Sequence, residues 1–199
     1  MRLRIIDYGV GNLHSISKGL ERAGATVEVV SDPRKLLDAD CVVFPGVGAF
    51  GAAMQVLRPV LPELRRGLRD GLPALGICLG MQILFEGSEE SSGEGVSALL
   101  GSVKRIRAPR VPHMGWNDVV ASDDPLFDGV SPSSQFYFAN SYVCHPTERI
   151  SIAETEYGEK FASAVRKGML CGVQFHPEKS GEPGLRLLSN FVRASEGSA

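Results

Sequence analysis

The first part of the chain alternates between short apolar runs and stretches with helical spacing. Leu3 to Tyr8 reads as a short apolar strand. From Gly11 to Ala23, the residues Leu13, Ile16, Leu20 and Ala23 recur on one helical face, and Gly24 supplies a stop. Thr26 to Val30 is rich in β-branched residues and predicts a second strand. A polar turn at Ser31-Asp32-Pro33 leads into a short helix, and Asp40 to Phe44 predicts a buried strand closed by Pro45-Gly46. Ala52 to Arg69 has helical spacing, broken near Pro59 and Pro62. Leu72 to Ile77 is again a short apolar strand, and Leu79 to Phe85 contains no breaker beyond Gly80. This β-α-β-α order predicts a mainly parallel sheet with helices on both faces.

The pattern then changes. Short strands are expected at Ser102–Ile106, Asp118–Ala121, Phe136–Cys144, Ser151–Thr155, Phe161–Arg166 and Leu170–Phe175. Tyr157-Gly158 and Lys167-Gly168 suit hairpin turns, so this half reads as mixed or antiparallel sheet grafted onto the parallel one. A last helix is expected over Gly184–Ala194, with Leu185, Leu188, Phe191 and Val192 on its apolar side and a frayed tail from Ser195 to Ala199. In open α/β sheets ligands bind beyond the carboxyl ends of the strands, where Cys78 and the Pro45-Gly46 loop both fall.

Composition adds bounds. The 199 residues suffice for one domain with a good core, and 43% apolar and 22% charged residues are ordinary for a globular protein. A net charge of -2 gives no electrostatic case for nucleic acid or an anionic membrane. The cationic stretch Arg105 to Arg110 is interrupted by prolines and apolar residues and reads as a solvated loop or edge. No apolar stretch has membrane-spanning length, and the short apolar N-terminus is interrupted by Asp7. Cys41, Cys78, Cys144 and Cys171 form no C-x-x-C pair, so no metal site is expected and reduced thiols in a cytoplasmic protein fit best.

Cys78 carries the candidate chemistry. It stands in Gly76-Ile77-Cys78-Leu79-Gly80, between a strand and a helix, which is the sequence form of a nucleophile elbow. The glycines allow a sharp turn, and the helix N-terminus favours thiolate over thiol. The bland alternative is a buried structural cysteine. A thiol nucleophile needs a base and an orienting group. Of the four histidines, His176 stands at the end of the expected strand Leu170–Phe175 and is followed by Pro177 and Glu178. In an extended segment residues two apart share a side, so Glu178 can hold one imidazole nitrogen while the other faces Cys78. Taken alone, His176-Pro177-Glu178 reads better as a surface turn; with the cysteine elbow earlier in the chain, the order Cys78, His176, Glu178 reverses that preference. The Leu79 N–H is a natural oxyanion donor, and the glycine-rich loop Gly46-Val47-Gly48 is the best source of a second. A glycine-rich turn without a ligand, or a weak phosphate loop, are the alternatives there.

Together, Gly76-Ile77-Cys78-Leu79-Gly80-Met81-Gln82 and Val173-Gln174-Phe175-His176-Pro177-Glu178 resemble the triad, or class I, glutamine amidotransferases. Asp7 to Leu13, Pro45 to Phe50 and His113-Met114-Gly115-Trp116-Asn117 narrow the likeness to the glutaminase subunits of imidazole glycerol phosphate synthase. The resemblance covers essentially the whole chain, residues 1–199, as one domain. It implies an α/β, flavodoxin-like, open and mostly parallel sheet with helices on both faces and an added mixed or antiparallel sheet. It implies that Cys78 attacks the side-chain amide of glutamine, that His176 protonates the departing ammonia, and that water hydrolyses a glutamyl thioester. It also implies that Gln82, Ser141 and Tyr142 help bind glutamine. Asn140 departs from the histidine that the pattern has before Ser141-Tyr142.

No synthase domain is left over, so the ammonia acceptor is expected on another chain. The resemblance implies a (β/α)₈ cyclase subunit, in a heterodimer, that makes imidazole glycerol phosphate and an aminoimidazole carboxamide ribotide (AICAR). Asn12, Trp116 and Lys179 are the candidate docking residues, with a core tryptophan and a solvated lysine as the plain alternatives. The Gly46-Val47 peptide is expected to flip when the partner and its ligand are present, turning the Val47 N–H into the oxyanion hole. No cofactor is expected. The competing readings are another class I amidotransferase subunit, a cysteine peptidase on the same scaffold, and a catalytically silent interaction subunit.

Overall fold

The computed structural model describes residues 1–11 and 13–197. The first half runs β1 (Arg2–Ile6), α1 (His14–Arg22), β2 (Thr26–Val30), a 3₁₀ turn (Pro33–Asp38), β3 (Cys41–Phe44), α2 (Phe50–Leu57), α3 (Leu61–Arg69), β4 (Ala74–Ile77) and α4 (Leu79–Gln82). Pro59 sits in the 3₁₀ turn between α2 and α3, and Pro62 lies in the first turn of α3, so the two prolines divide the helix where the sequence places the breaks. The second half runs β5 (Gly87–Ser88), β6 (Ser91–Glu94), β7 (Gly101–Arg105), β8 (His113–Asp118), β9 (Val120–Ala121), β10 (Gln135–Asn140), β11 (Tyr142–Pro146), β12 (Ser151–Tyr157), β13 (Glu159–Lys167), β14 (Leu170–Val173) and α5 (Gly181–Glu196).

Twelve of the described strands form one sheet, in the order β2-β1-β3-β4-β14-β13-β11-β7-β5-β6, with β12 branching from β13 and β9 pairing with β12. The five strands from β2 to β14 are parallel. Their order is that of the flavodoxin-like doubly wound sheet, with β14 in the fifth place. From β14 onward the main path turns antiparallel through β13, β11 and β7, and β5 then runs parallel to β7. The hairpins at Tyr157-Gly158 and Lys167-Gly168 join β12 to β13 and β13 to β14, and both glycines take positive φ.

Alternating side chains of the parallel strands feed two cores. Leu3, Ile5, Cys41, Val43, Leu75, Ile77, Cys171 and Val173 pack with Ile16 and Leu20 of α1 and Leu187, Leu188 and Phe191 of α5. Ile6, Val42, Phe44, Ala74 and Leu170 face the other way, toward Phe50 and Leu57 of α2 and Leu64 and Leu68 of α3. Strands buried on both faces must be apolar throughout, which is why they read as continuous runs rather than alternations. Among the described residues, no helix is long and apolar enough to cross a membrane.

Four expectations need correction. The helix after Cys78 is a single turn ending at Gln82, not at Phe85. Beyond Gln82 the N–H groups of Leu84 and Phe85 donate to the carbonyls three residues back, Met81 and Gln82, so the chain tightens into 3₁₀-type turns, and the carbonyls of Ile83, Leu84 and Phe85 bond the segment Val96–Ala98. The strand expected over Phe136–Cys144 breaks at Ser141: β10 pairs with β8 in a separate two-stranded sheet, and β11 joins the main sheet. The strand beginning at Asp118 instead begins at His113 as β8, and β9 is a short separate piece. Ser195 is not frayed. It is buried in α5, where its Oγ donates to the Phe191 carbonyl at 2.9 Å; residues 198–199 lie outside the described residues.

Candidate active site

The carboxyl ends of three neighbouring parallel strands converge. Phe44 of β3 lies beside Gly76 of β4, and Ile77 of β4 lies beside Val173 of β14. The residues that follow these positions therefore meet: Gly46 from β3, Cys78 from β4, and Gln174 to Glu178 from β14.

Cys78 adopts φ 49° and ψ -105°, a conformation a non-glycine residue rarely holds. The Cys78 N–H donates to the Val173 carbonyl at 2.7 Å and ties the elbow to β14. The framing glycines are required by space. A Cβ on Gly80 would run into the Phe44 carbonyl oxygen, and one on Gly76 would run into the Gly80 carbonyl oxygen. Because α4 has one turn, it sums few peptide dipoles, and the dipole argument for Cys78 weakens accordingly. The positive group next to the sulfur is instead His176.

His176 precedes a 3₁₀ turn at Pro177–Lys179. The His176 and Glu178 side chains meet across this turn rather than along an extended segment, with Nδ1 2.8 Å from Glu178 Oε1. The turn is fixed from behind: the His176 carbonyl accepts from the Lys179 N–H at 3.1 Å and from Ser180 Oγ at 2.6 Å. Burial alone would lower the His176 pKa. Hydrogen bonds to Cys78 and to Glu178, with the negative charge of each, outweigh burial and raise it to about 10. The imidazole thus keeps its proton at neutral pH. A Cβ on Gly46 would lie 2.9 Å from both Cys78 Cβ and His176 Cε1, so only glycine lets this loop approach the pair.

A cavity of about 220 Å³ opens beside Cys78. Gly46, Gly48, Leu79, Gln82, Asn140, Ser141 and Tyr142 are among the residues that line it. The half-buried Val47 lies between the two lining glycines. Gln82 is buried, and its Nε2 donates to the Tyr142 carbonyl at 3.0 Å and to Gln174 Oε1 at 3.1 Å. Its donors are thus engaged within the protein. Asn140 Nδ2 donates to the same Tyr142 carbonyl at 3.0 Å.

Trp116 and Lys179 lie together on an outer face. Trp116 is 54% exposed, so the core-tryptophan alternative does not hold. Its ring meets Tyr137 edge-on with centroids 6.1 Å apart, and Lys179 Nζ stands 5.7 Å from the Tyr137 centroid. The exposed Met114 continues this face along β8. The face is tied to the main chain at His176, because the Tyr137 carbonyl accepts the His176 backbone N–H at 2.8 Å and Ser180 Oγ accepts the Tyr137 N–H at 3.0 Å. Asn12 lies outside the described residues.

Three residues of this region escaped the sequence reading. Glu90 lines the cavity, and its Oε2 accepts the Phe50 N–H at 2.9 Å; no spacing along the chain ties it to Cys78. Gln174 is fully buried beside the sulfur. Tyr137 had a usable signal, because buried Phe136 and Phe138 force the residue between them onto the opposite face.

The profile of the family described as "Glutamine amidotransferase class-I" matches residues 4–194. "Imidazole glycerol phosphate synthase subunit HisH" of Methanocaldococcus jannaschii is 44% identical over 191 residues, covering 94% of this chain and 97% of that protein. The protein of the same description from Halobacterium salinarum is 46% identical over 199 residues, covering 94% of this chain and 91% of its own. Among solved structures, one titled "Crystal structure of glutamine amidotransferase" superposes with a TM-score of 0.76 at 20% identity, covering 97% of this chain and 98% of that one. "Structure of PurLQS from Thermotoga maritima" superposes with a TM-score of 0.73 at 18% identity and the same coverage. At such identities these two structures speak to the fold. The chain belongs to the class-I glutamine amidotransferase family.

Proposed function

We propose that the chain is the glutaminase subunit of an imidazole glycerol phosphate synthase in histidine biosynthesis, with residues 1–199 acting as one amidotransferase domain. The observation that carries the chemistry is the His176–Glu178 pair, 2.8 Å apart, set against Cys78 at a strained elbow beside a cavity. The Cys78 sulfur attacks the side-chain amide carbon of glutamine, forming a C–S bond and placing the electron pair of the carbonyl on oxygen. The Leu79 N–H has no intrahelical acceptor at the first helical position and is available to that oxygen. Collapse breaks the C–N bond, and the imidazolium proton of His176 leaves with the nitrogen as ammonia. The now neutral imidazole takes a proton from water, which attacks the glutamyl thioester. Glutamate departs and the sulfur is restored, while Glu178 holds the ring throughout.

Glutamine binding draws on the rest of the cavity. Ser141 and Tyr142, at the corner between the two sheets, contact the amino-acid end. Gln82 offers its Oε1, since its two N–H donors are occupied. The Glu90 carboxylate suits the α-ammonium. The second oxyanion donor is the Val47 N–H, supplied when the Gly46-Val47 peptide turns toward Cys78.

The partner is a (β/α)₈ cyclase subunit in a heterodimer, which consumes the ammonia. It docks on the face formed by Trp116, Tyr137, Met114 and Lys179. Backbone bonds link this face to His176, so docking borders the reaction directly. The deciding assay measures glutamine hydrolysis by the chain with and without the cyclase and its nucleotide ligand. Activity low alone and raised in the complex is expected. Equal turnover in both would remove the peptide flip, and no turnover in either would remove the glutaminase reading.

A further inference from the structure

Gln174 presents a buried amide at the one place where the chain leaves β14 for His176. It is fully buried, and burying an amide is costly unless both its ends are bonded. Its backbone N–H donates to the Ser163 carbonyl at 2.9 Å, which fixes the main chain beside Cys78. The orientation of its side chain follows from one backbone group. The Tyr142 carbonyl can only accept, so the amide of Gln82 must turn Nε2 toward it. The second hydrogen on that nitrogen meets Gln174 Oε1 at 3.1 Å. Gln174 must then turn its own Nε2 to the remaining neighbour, which is Cys78 Sγ at 3.5 Å. The directed series runs from carbonyl to amide to amide to sulfur, and neither amide can flip without breaking a bond.

We propose that Gln174 is a further catalytic residue, whose side-chain N–H donates to Cys78 Sγ and favours the thiolate, with its orientation set by the Tyr142 carbonyl through Gln82. This rests on Cys78 being the nucleophile. The sulfur then has two donors, the His176 imidazolium on one side and a neutral amide on the other. The Ala139 carbonyl oxygen lies 4.0 Å from Sγ, at the outer limit of a sulfur hydrogen bond, and serves the protonated thiol instead. When the sulfur attacks, the Gln174 amide remains in place as charge moves to the new oxyanion.

The test is the pH dependence of Cys78 alkylation by iodoacetamide in the full chain, for the wild type, Gln174→Met and Gln174→Glu. Methionine is similar in length and donates nothing. Glutamate still accepts from Gln82 but turns a carboxylate oxygen toward the sulfur. A hydrogen bond to a charged group is strong enough to move such a profile by about one pH unit. The profile should shift upward by that amount in Gln174→Met and further in Gln174→Glu. In parallel, kcat for glutamine should fall about tenfold with KM within about twofold. Profiles that coincide with the wild type, accompanied only by a lower melting temperature, would make Gln174 a packing residue and overturn the proposal. Gln82→Met provides a second route, since it removes the orienting bond from outside the pair. It should shift the profile in the same direction by less, and an unshifted profile there counts equally against the proposal should the Gln174 variants not fold. Alkylation needs no glutamine. A wild type that alkylates as expected yet hydrolyses no glutamine therefore sinks the glutaminase reading and leaves the role of Gln174 to the alkylation profiles.

Discussion

His176 and His113 are both almost fully buried, and their chemistry diverges. His176 meets Glu178 and Cys78, and its pKa rises to about 10 although burial opposes the charge. His113 lies in an aromatic box, stacked on Tyr157 at 4.0 Å and on Phe138 at 4.6 Å between ring centroids. Its Nε2 is 3.2 Å from Asn117 Nδ2, and its Nδ1 has no partner among the described residues. Burial there is unopposed and lowers the pKa from 6.5 to about 4. The two sites teach that burial alone makes a histidine inert. Paired anions make it an acid that can protonate a leaving group.

The sharpest way to break the contrast is to remove an anion. Cys78→Ala takes away the reacting sulfur, and glutamine hydrolysis should drop by about a thousandfold or more. Partner binding and the use of free ammonia by the complex should persist, and their loss as well would indicate a misfolded or misassigned chain. Glu178→Gln removes the other anion and should lower kcat by about a hundredfold, with the His176 resonance titrating at lower pH by NMR. A wild-type titration in that variant would deny Glu178 its role. On the proposed docking face, Trp116→Ala should weaken binding to the cyclase about tenfold in calorimetry while leaving the His176 titration in place.

The smallest effect concerns stability, where the two histidines act with opposite sign. The raised pKa of His176 adds stability that is complete below 6.5 and is lost as pH rises through about 10. The lowered pKa of His113 makes the unfolded chain bind the proton first, so stability falls as pH drops from 6.5 toward about 4. From about pH 7 to about pH 5 that loss is on the order of 2 kcal/mol. Urea unfolding of His113→Phe should show a shallower decline over this range. An unchanged decline would place the acid sensitivity elsewhere.

The same contrast bears on what the chain discloses by itself. The Cys41–Phe44 and Ala74–Ile77 strands are legible because burial on both faces demands unbroken apolar residues. The elbow is legible because close backbone approach at Gly76 and Gly80 tolerates no side chain. β8 is not, because its outer positions Met114 and Trp116 are exposed and apolar, which inverts the usual alternation. Gln174 and Glu90 were missed for another reason. Their relation to Cys78 depends on how β14 pairs with β4 and how the β5–β6 loop returns to the cavity, and neither is written in local spacing. The roles given to Ser141 and Tyr142 came from family resemblance rather than from pattern.

On the proposed mechanism, Cys78 carries the glutamyl group between ammonia release and hydrolysis. Acid quenching of the wild-type complex during turnover, followed by peptide mass analysis, would trap that group on its peptide. A glutamyl adduct on the peptide containing Cys78, absent from Cys78→Ala, is the predicted result. Undiminished glutamine hydrolysis by Cys78→Ala, or an adduct on a different peptide, would contradict it.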